Sequence, residues 1–181
     1  MLRLPAVIVV ILTAGVAAAS PPPHVAFMDN LNALCGKSFE GRLVSIDAAD
    51  ADFTGKKLVM GPVACADREV AIPFAVGGNR SRTWLITATA ESLRLKHVHK
   101  HDDGSEDTVS RYGGDSNSTG TAKRQEFPTD DFSKQLFTAN KLDRSLTNVW
   151  ALEIDPGKLF AYELRRPGRF FRVEFPLTQP N

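Results

Sequence analysis

The chain has 181 residues, of which 43% are hydrophobic, and this length and composition suit one globular domain. Its 22 Lys and Arg residues nearly balance its 21 Asp and Glu residues. This balance argues against a general nucleic-acid-binding protein, because such a protein needs surplus positive charge to neutralise phosphates.

The first 19 residues have the pattern of a secretory signal peptide. Arg3 supplies a positive charge, and an uncharged, mostly apolar run extends from Leu4 to Ala19 and ends in three alanines. This run is shorter than the roughly 20 apolar residues that cross a membrane as a helix. We therefore expect cleavage near Ser20 and a secreted or periplasmic location. The mature chain, residues 20–181, should form a single β-barrel domain without a membrane span.

Cys35 and Cys65 are the only cysteines in the chain. In an oxidising compartment, an even pair most simply forms one disulfide, and two buried free thiols are the alternative. Neither cysteine belongs to a Cys-x-x-Cys motif, which argues against redox catalysis. The sequence therefore predicts a Cys35–Cys65 disulfide.

Most elements predicted along the mature chain are short strands separated by turns. Apolar residues recur with helical spacing between Val25 and Leu34, and Gly36 follows as a left-handed cap. A second short helix is predicted from Thr129 to about Thr138, where a hydroxyl cap precedes two aspartates. Alternation and turn residues predict strands over 38–46, 58–65, 69–76, 82–90, 121–127, 148–154 and 158–165, a hairpin within 93–114, and a last strand after Arg169.

The hairpin within 93–114 holds three of the four histidines. Alternation along a strand places His97, His99 and His101 on one face together with Leu93 and Leu95. The dipeptide at 103–104 is Asp-Gly, a type I′ turn signal. A two-residue turn there would give these cross-strand pairs: Asp102–Ser105, His101–Glu106, His99–Thr108, His97–Ser110 and Leu95–Tyr112.

A second hairpin is predicted near the C-terminus, where Arg166-Pro167-Gly168-Arg169 has Pro and Gly at the positions that a type II turn requires. The predicted cross-strand pairs are Leu164–Phe171, Tyr162–Val173, Phe160–Phe175 and Glu163–Arg172. Four arginines flank this turn, at positions 165, 166, 169 and 172. They could recognise an anion, although clusters of this kind are more often solvated and paired with carboxylates.

Sequential antiparallel strands of this number favour a closed barrel or a sandwich, because closure removes exposed edges. The segment Leu34-Cys35-Gly36-Lys37-Ser38-Phe39-Glu40-Gly41 resembles the start of calycins, the lipocalin and fatty-acid-binding group, in which a short helix leads through a glycine into the first strand. The Trp of the lipocalin Gly-x-Trp pattern is absent after Gly36. The resemblance implies a mainly β fold, an antiparallel up-and-down β-barrel with a short N-terminal helix and one short helix before the last strands.

The mature chain also resembles a group of secreted or periplasmic proteins of Gram-negative bacteria that have no assigned activity. The 93–114 hairpin and the Arg-Pro-Gly-Arg turn carry this second resemblance. It implies a compartment and no particular function.

Part of the hairpin resembles the metal motif of cupins. His99-x-His101 is followed after four residues by Glu106 and after six more by Gly113. The leading Gly of that motif is replaced by Leu93, and the second cupin motif is missing because no histidine follows His101. The resemblance implies a divalent metal held by His99, His101 and Glu106. The structural alternative is that the histidines bond Thr108, Ser110 and Glu106, or are exposed at the hairpin tip.

Three functions of different classes fit these observations. The leading hypothesis is a binding protein that holds a small apolar or amphipathic molecule in the barrel, with His97, His99, Tyr112 and Leu95 as ligand-binding residues and with no cofactor and no catalytic residue. The alternatives are a cupin-type metal-dependent enzyme and a structural envelope module without a ligand site. A real cavity favours the binding protein, and a third inward His or carboxylate near His99 favours the metal-dependent enzyme. A filled barrel interior favours the structural module.

Overall fold

The computed structural model describes residues 20–116 and 120–178. The predicted signal peptide, residues 1–19, lies outside the described residues. Helix α1 is Pro23–Asn32, helix α2 is Asp131–Ala139, and two 3₁₀ helices are Ala48–Asp50 and Asp143–Thr147. The strands are β1 Phe39–Leu43, β2 Leu58–Met60, β3 Ala64–Ala66, β4 Glu69–Val76, β5 Asn79–Ala88, β6 Leu93–His99, β7 Tyr112–Asp115, β8 Arg124–Pro128, β9 Val149–Asp155, β10 Leu159–Arg166 and β11 Arg169–Pro176.

The strands form one antiparallel sheet that curls into a nearly closed barrel, so the predicted mainly β, up-and-down barrel is confirmed. Strands adjacent in sequence pair with each other, except β2 with β3 and β7 with β8, and β1 pairs with β11, so that the first and last strands are joined. Strands β2 and β3 both pair with β4, and together they occupy one strand position in the sheet, with an interruption at Gly61-Pro62. The sequence predicted these halves as one strand.

The joint between β7 and β8 is made by the start of α2. Gly113 O accepts from the amide of Asp130 at 2.9 Å, and Ser133 Oγ bonds both the amide and the carbonyl of Gly113, at 2.7 and 3.1 Å. The backbones approach so closely that a Cβ on Gly114 would lie 1.8 Å from the carbonyl oxygen of Pro128. Helix α2 therefore seals the one seam that the strand ladder leaves in the described barrel.

Helix α1 closes the end of the barrel opposite the Arg166–Arg169 turn. It buries Phe27, Met28 and Leu31 in the core, and Asn30 donates to the carbonyl of Ala122 at 2.9 Å, just before β8 begins. The predicted Cys35–Cys65 disulfide is confirmed and ties the segment after α1 to β3. Gly36 takes the expected left-handed conformation, with φ 77°. No helix among residues 20–116 and 120–178 is long and apolar enough to cross a membrane.

The C-terminal hairpin has the predicted register. Leu164 faces Phe171, Tyr162 faces Val173 and Phe160 faces Phe175. On the outer face, Glu163 opposes Arg172 and is 6% exposed beneath it, and Arg124 donates to Glu163 at 2.5 Å. Strands β8 to β11 therefore combine an aromatic inner face with an outer ladder of paired charges.

The predicted register of the 93–114 hairpin is wrong. Tyr112 pairs with His97 rather than Leu95, and Lys100 opposes Glu106. The tip is a three-residue loop, because Gly104 is left-handed with φ 86° and His101, rather than Asp102, bonds Ser105.

The shift in this register arises at residues 107–111, which leave the ladder. Between the Lys100–Glu106 and His97–Tyr112 pairs, one strand advances by three residues and the other by six. Arg111 adopts φ 60°, and its amide donates to the carbonyl of His97 at 2.6 Å. Segment 107–111 therefore forms an excursion from the sheet, and Val109 from this excursion reaches the barrel opening.

Candidate functional site

A cavity of about 270 Å³ occupies the open end of the barrel, away from α1. It lies at the ends of β4, β6 and β10 and at the starts of β5, β7, β9 and β11, and the segment from α2 to the 3₁₀ helix Asp143–Thr147 forms one wall. Eight of its nineteen lining residues are Phe, Tyr or Trp: Phe53, Phe74, Trp84, Tyr112, Phe137, Trp150, Tyr162 and Phe171.

Three of these rings form a continuous stacked layer across the barrel. The ring centroids of Phe74 and Trp84 are 4.6 Å apart, with an angle of 19° between the planes. Trp84 stacks on Tyr162 at 4.5 Å and 17°. Strand alternation turns these side chains inward, and Trp84 lies between the other two rings at the cavity wall.

His97 lies deepest among the polar groups of the cavity. Its Nε2 is 2.8 Å from the hydroxyl of Tyr162, and its Nδ1 is 3.2 Å from the carbonyl oxygen of Tyr112. Because a carbonyl only accepts, Nδ1 carries the proton and Nε2 accepts from the Tyr162 phenol. Burial lowers the pKa of His97 to about 3 and raises that of Tyr162 well above its usual 10, so both groups are neutral at pH 7.

His99 and Tyr112 form a second imidazole–phenol pair nearer to the opening. His99 Nε2 is 2.9 Å from the Tyr112 hydroxyl, and the His99 amide donates to Ser110 Oγ at 2.9 Å. Burial, aided by the charge of Arg82, lowers the pKa of His99. Burial raises the pKa of Tyr112 to about 12. The cavity thus offers neutral hydrogen-bonding groups on otherwise apolar walls.

The charged groups at the cavity are three arginines, and none of the described lining residues is Asp or Glu. Arg169 is compensated by ion pairs with Asp47 and Asp50. Arg82 and Arg166 bond neutral amide oxygens instead, the first on Asn79 and the second on Asn148, each at 3.1 Å.

The four arginines around the C-terminal turn divide between the two faces. Arg166 and Arg169 line the cavity, whereas Arg165 and Arg172 lie on the outer ladder, where Arg165 pairs with Glu126 and Arg172 with Glu163. Alternation carried a usable signal for this division, because Arg166 and Arg169 share the strand face of Leu164 and Phe171.

The predicted site residues lie in different places. His97, His99 and Tyr112 line the cavity, whereas Leu95 is fully buried and is not among the lining residues. Ser110 bonds the backbone of His99 and not the side chain of His97, and Thr108 is exposed. Leu95 is therefore a core residue beneath the site.

The predicted metal ligands are not brought together. His101 is exposed beyond the end of β6, and the carboxylate of Glu106 accepts two bonds from Arg111, at 2.8 and 2.5 Å. Among residues 20–116 and 120–178, no group of three His, Cys, Asp or Glu side chains is arranged to hold a metal ion. The shift of register explains this, since the excursion at 107–111 turns Glu106 toward Arg111.

Several lining residues escaped the sequence analysis. Arg82 and Trp84 share a face of β5 with Ile86, which is fully buried, so alternation carried a usable signal for both. Trp150 and Phe137 come from elements distant in sequence, and only the closed barrel brings them to His97. Comparisons with protein-family models, curated proteins and solved structures gave no match for this chain.

Proposed function

We propose that this protein binds a small apolar or amphipathic molecule in the cavity at the open end of its barrel. The observation that carries the proposal is the 270 Å³ cavity, eight of whose nineteen lining residues are Phe, Tyr or Trp. Ligand sites in proteins are concave and mainly apolar, begin at roughly 300 Å³, and carry a few well-placed polar groups. A cavity just below that range suits a small ligand.

The polar groups of the cavity suit recognition of a ligand better than catalysis. His97 and His99 both bond tyrosine hydroxyls, and both are neutral near pH 7. His99 and Tyr112 lie near the opening, where they can bond a polar atom of a ligand. His97 is 4% exposed, and it fixes Tyr162 rather than meeting the ligand directly.

The proposal places the protein in a secreted or periplasmic compartment. The Cys35–Cys65 disulfide supports an oxidising environment, and the apolar run at Leu4–Ala19 supports export. No cofactor is required, because binding needs only the cavity and its polar groups. The cavity at the open end of the barrel supports the ligand-binding hypothesis over the structural-module hypothesis. The metal-enzyme hypothesis has no support, because the carboxylate of Glu106 is bonded to Arg111.

The two tryptophans of the chain make the proposal testable without a label. Trp84 and Trp150 both line the cavity, so a ligand seated there should change most of the intrinsic tryptophan emission. The probe is N-phenyl-1-naphthylamine, an uncharged aromatic amine that fluoresces in apolar surroundings. We expect saturable binding with one site per chain, together with loss of tryptophan emission by energy transfer.

A matched pair of variants locates the bound probe. Val109→Phe adds bulk inside the cavity, whereas Val44→Phe makes the same change at an exposed position that does not line the cavity. V109F should weaken binding about tenfold or more, and V44F should leave it unchanged. Absence of saturable binding, or equal loss in both folded variants, would contradict the proposal.

A further inference from the structure

Resting on the proposed function, we infer that the ligand is a flat aromatic acid whose anionic group is held at the cavity mouth by Arg82 and Arg166. The inference names a ligand class, and it combines the charge pattern of the opening with the shape of the walls below it.

The charge of the cavity is positive and only partly compensated. Arg169 has its own carboxylate partners, Asp47 and Asp50. Arg82 and Arg166 take part in none of the ion pairs of the described residues and bond only amide oxygens. A guanidinium next to an aromatic cavity loses hydration without gaining a counter-charge, so an anion bound there supplies the missing partner.

The field of these arginines reaches the interior groups. Besides burial, the charge of Arg82 acts to lower the pKa values of His99, Tyr112 and Tyr162. Burial lowers the pKa of Arg166, and the nearby charges of Arg169 and Arg144 act in the same direction, with Asp47 opposing them. The effects of Arg82, Arg169 and Arg144 are those of a positive potential, which a bound anion would relieve.

The walls of the cavity favour an aromatic ligand body. Eight of the lining residues are Phe, Tyr or Trp. Phe74, Trp84 and Tyr162 stack on one another, and His97 stacks on Tyr112, so these rings already cover the faces that they share. A ligand ring gains from edge-to-face or offset contacts with such walls beyond the area that it buries.

Two probes that share one aromatic skeleton and differ in one charged group measure the contribution of that charge to binding. 8-Anilinonaphthalene-1-sulfonate is N-phenyl-1-naphthylamine with one added sulfonate, so the ratio of their dissociation constants measures what the anionic group contributes. We expect the sulfonate probe to bind about tenfold tighter to the wild-type chain, since charge-assisted hydrogen bonds are the stronger class. Arg82→Gln and Arg166→Gln should each remove most of this advantage, measured as the ratio of the two dissociation constants within the same variant.

Arg80→Gln is the matched control for charge. Arg80 is exposed on the same strand as Arg82, does not line the cavity, and carries the same unit charge. R80Q should keep the advantage of the anionic probe. Equal binding of the two probes by the wild type, or an equal loss in R80Q and R82Q, would overturn the inference while leaving the proposed function intact. Failure of both probes to bind would instead remove the proposed function itself.

The shape is tested by displacement of the sulfonate probe. We expect 2-naphthoate to displace it at about tenfold lower concentration than decanoate, which has the same carboxylate on a flexible chain of similar size. Equal displacement by decanoate would overturn the aromatic part of the inference. Near-ultraviolet circular dichroism of each variant checks that probe binding reports the folded barrel.

Discussion

The hydroxyl of Tyr162 lies 2.8 Å from Nε2 of His97, and this bond joins β10 to β6 across the interior of the barrel. Both partners are buried and neutral, and each satisfies a polar atom of the other. The bond therefore connects the two halves of the sheet as well as two residues of the candidate site.

Removal of the Tyr162 hydroxyl should lower the free energy of unfolding more than removal of the Tyr112 hydroxyl does. Tyr162→Phe leaves Nε2 of His97 buried without a donor, which costs about 1–3 kcal/mol of unfolding free energy. Tyr112→Phe removes a hydroxyl whose partner, His99, is only partly buried, so water can replace it and the loss should be smaller. Urea unfolding of both variants gives the comparison. A larger loss in Y112F would contradict the assignment of roles.

Stability should fall as the pH drops below the ordinary pKa of histidine. The pKa of His97 is about 3 in the folded chain, against an ordinary value of 6.5. Between these values the unfolded chain binds the additional proton. The stabilising contribution is therefore complete above pH 6.5 and is lost as the pH falls toward 3, by up to about 1.4 kcal/mol per pH unit. His99, whose pKa is also lowered, acts in the same direction.

The slope can be assigned by measuring unfolding free energy between pH 6.5 and 5, above the range in which most carboxylates titrate. His97→Gln should flatten the slope, and His101→Gln, at an exposed position, should preserve it. An H97Q variant with the wild-type slope would show that the pH dependence arises elsewhere.

The seam between β7 and β8 should not tolerate a methyl group. Gly114→Ala places its Cβ 1.8 Å from the carbonyl oxygen of Pro128, so the backbones must separate and the seal by α2 must loosen. We expect a loss of about 2–3 kcal/mol, as for other overpacked sites. Gly78→Ala is the control, because nothing lies within 4 Å of its Cβ. Thermal unfolding distinguishes them, and a G114A variant as stable as G78A would refute the close approach.

The outer charge ladder should depend on its most buried carboxylate. Glu163→Gln removes the more buried of the two carboxylates that Arg124 and Arg172 share, the other being Glu153, and we expect a loss of about 1–3 kcal/mol. Glu40→Gln removes an exposed partner of Lys57 and should change stability by less than about 0.5 kcal/mol. If chemical unfolding gave equal effects, burial would not be what makes Glu163 important.

The two hairpins show which parts of the fold were readable from the sequence. The register of the C-terminal hairpin followed from alternation and from the turn at Pro167-Gly168, both of which are local. The register of the 93–114 hairpin failed because segment 107–111 leaves the ladder. That departure is held by Arg111 bonding Glu106 and the carbonyl of His97, contacts that no alternation pattern encodes.

Part of the candidate site could also be predicted from the sequence. Alternation indicated that His97 and His99 share the inner face, and both line the cavity. Arg166 belongs to the group of four arginines that the sequence offered for anion recognition, whereas Arg82 was not predicted as a partner, since most of the barrel separates the two in sequence. Their lack of a carboxylate partner is a property of the assembled opening and not of either segment.

Helix α1 gives the barrel a floor. Phe27, Met28 and Leu31 are buried at one end of the barrel, and a disulfide anchors the segment that follows α1. The barrel is therefore closed at that end. If the protein binds a ligand as proposed, entry and exit would both take place at the open end. Release would then depend on the residues of that opening, and substitutions in α1 should alter the stability of the protein without altering how long a ligand remains bound.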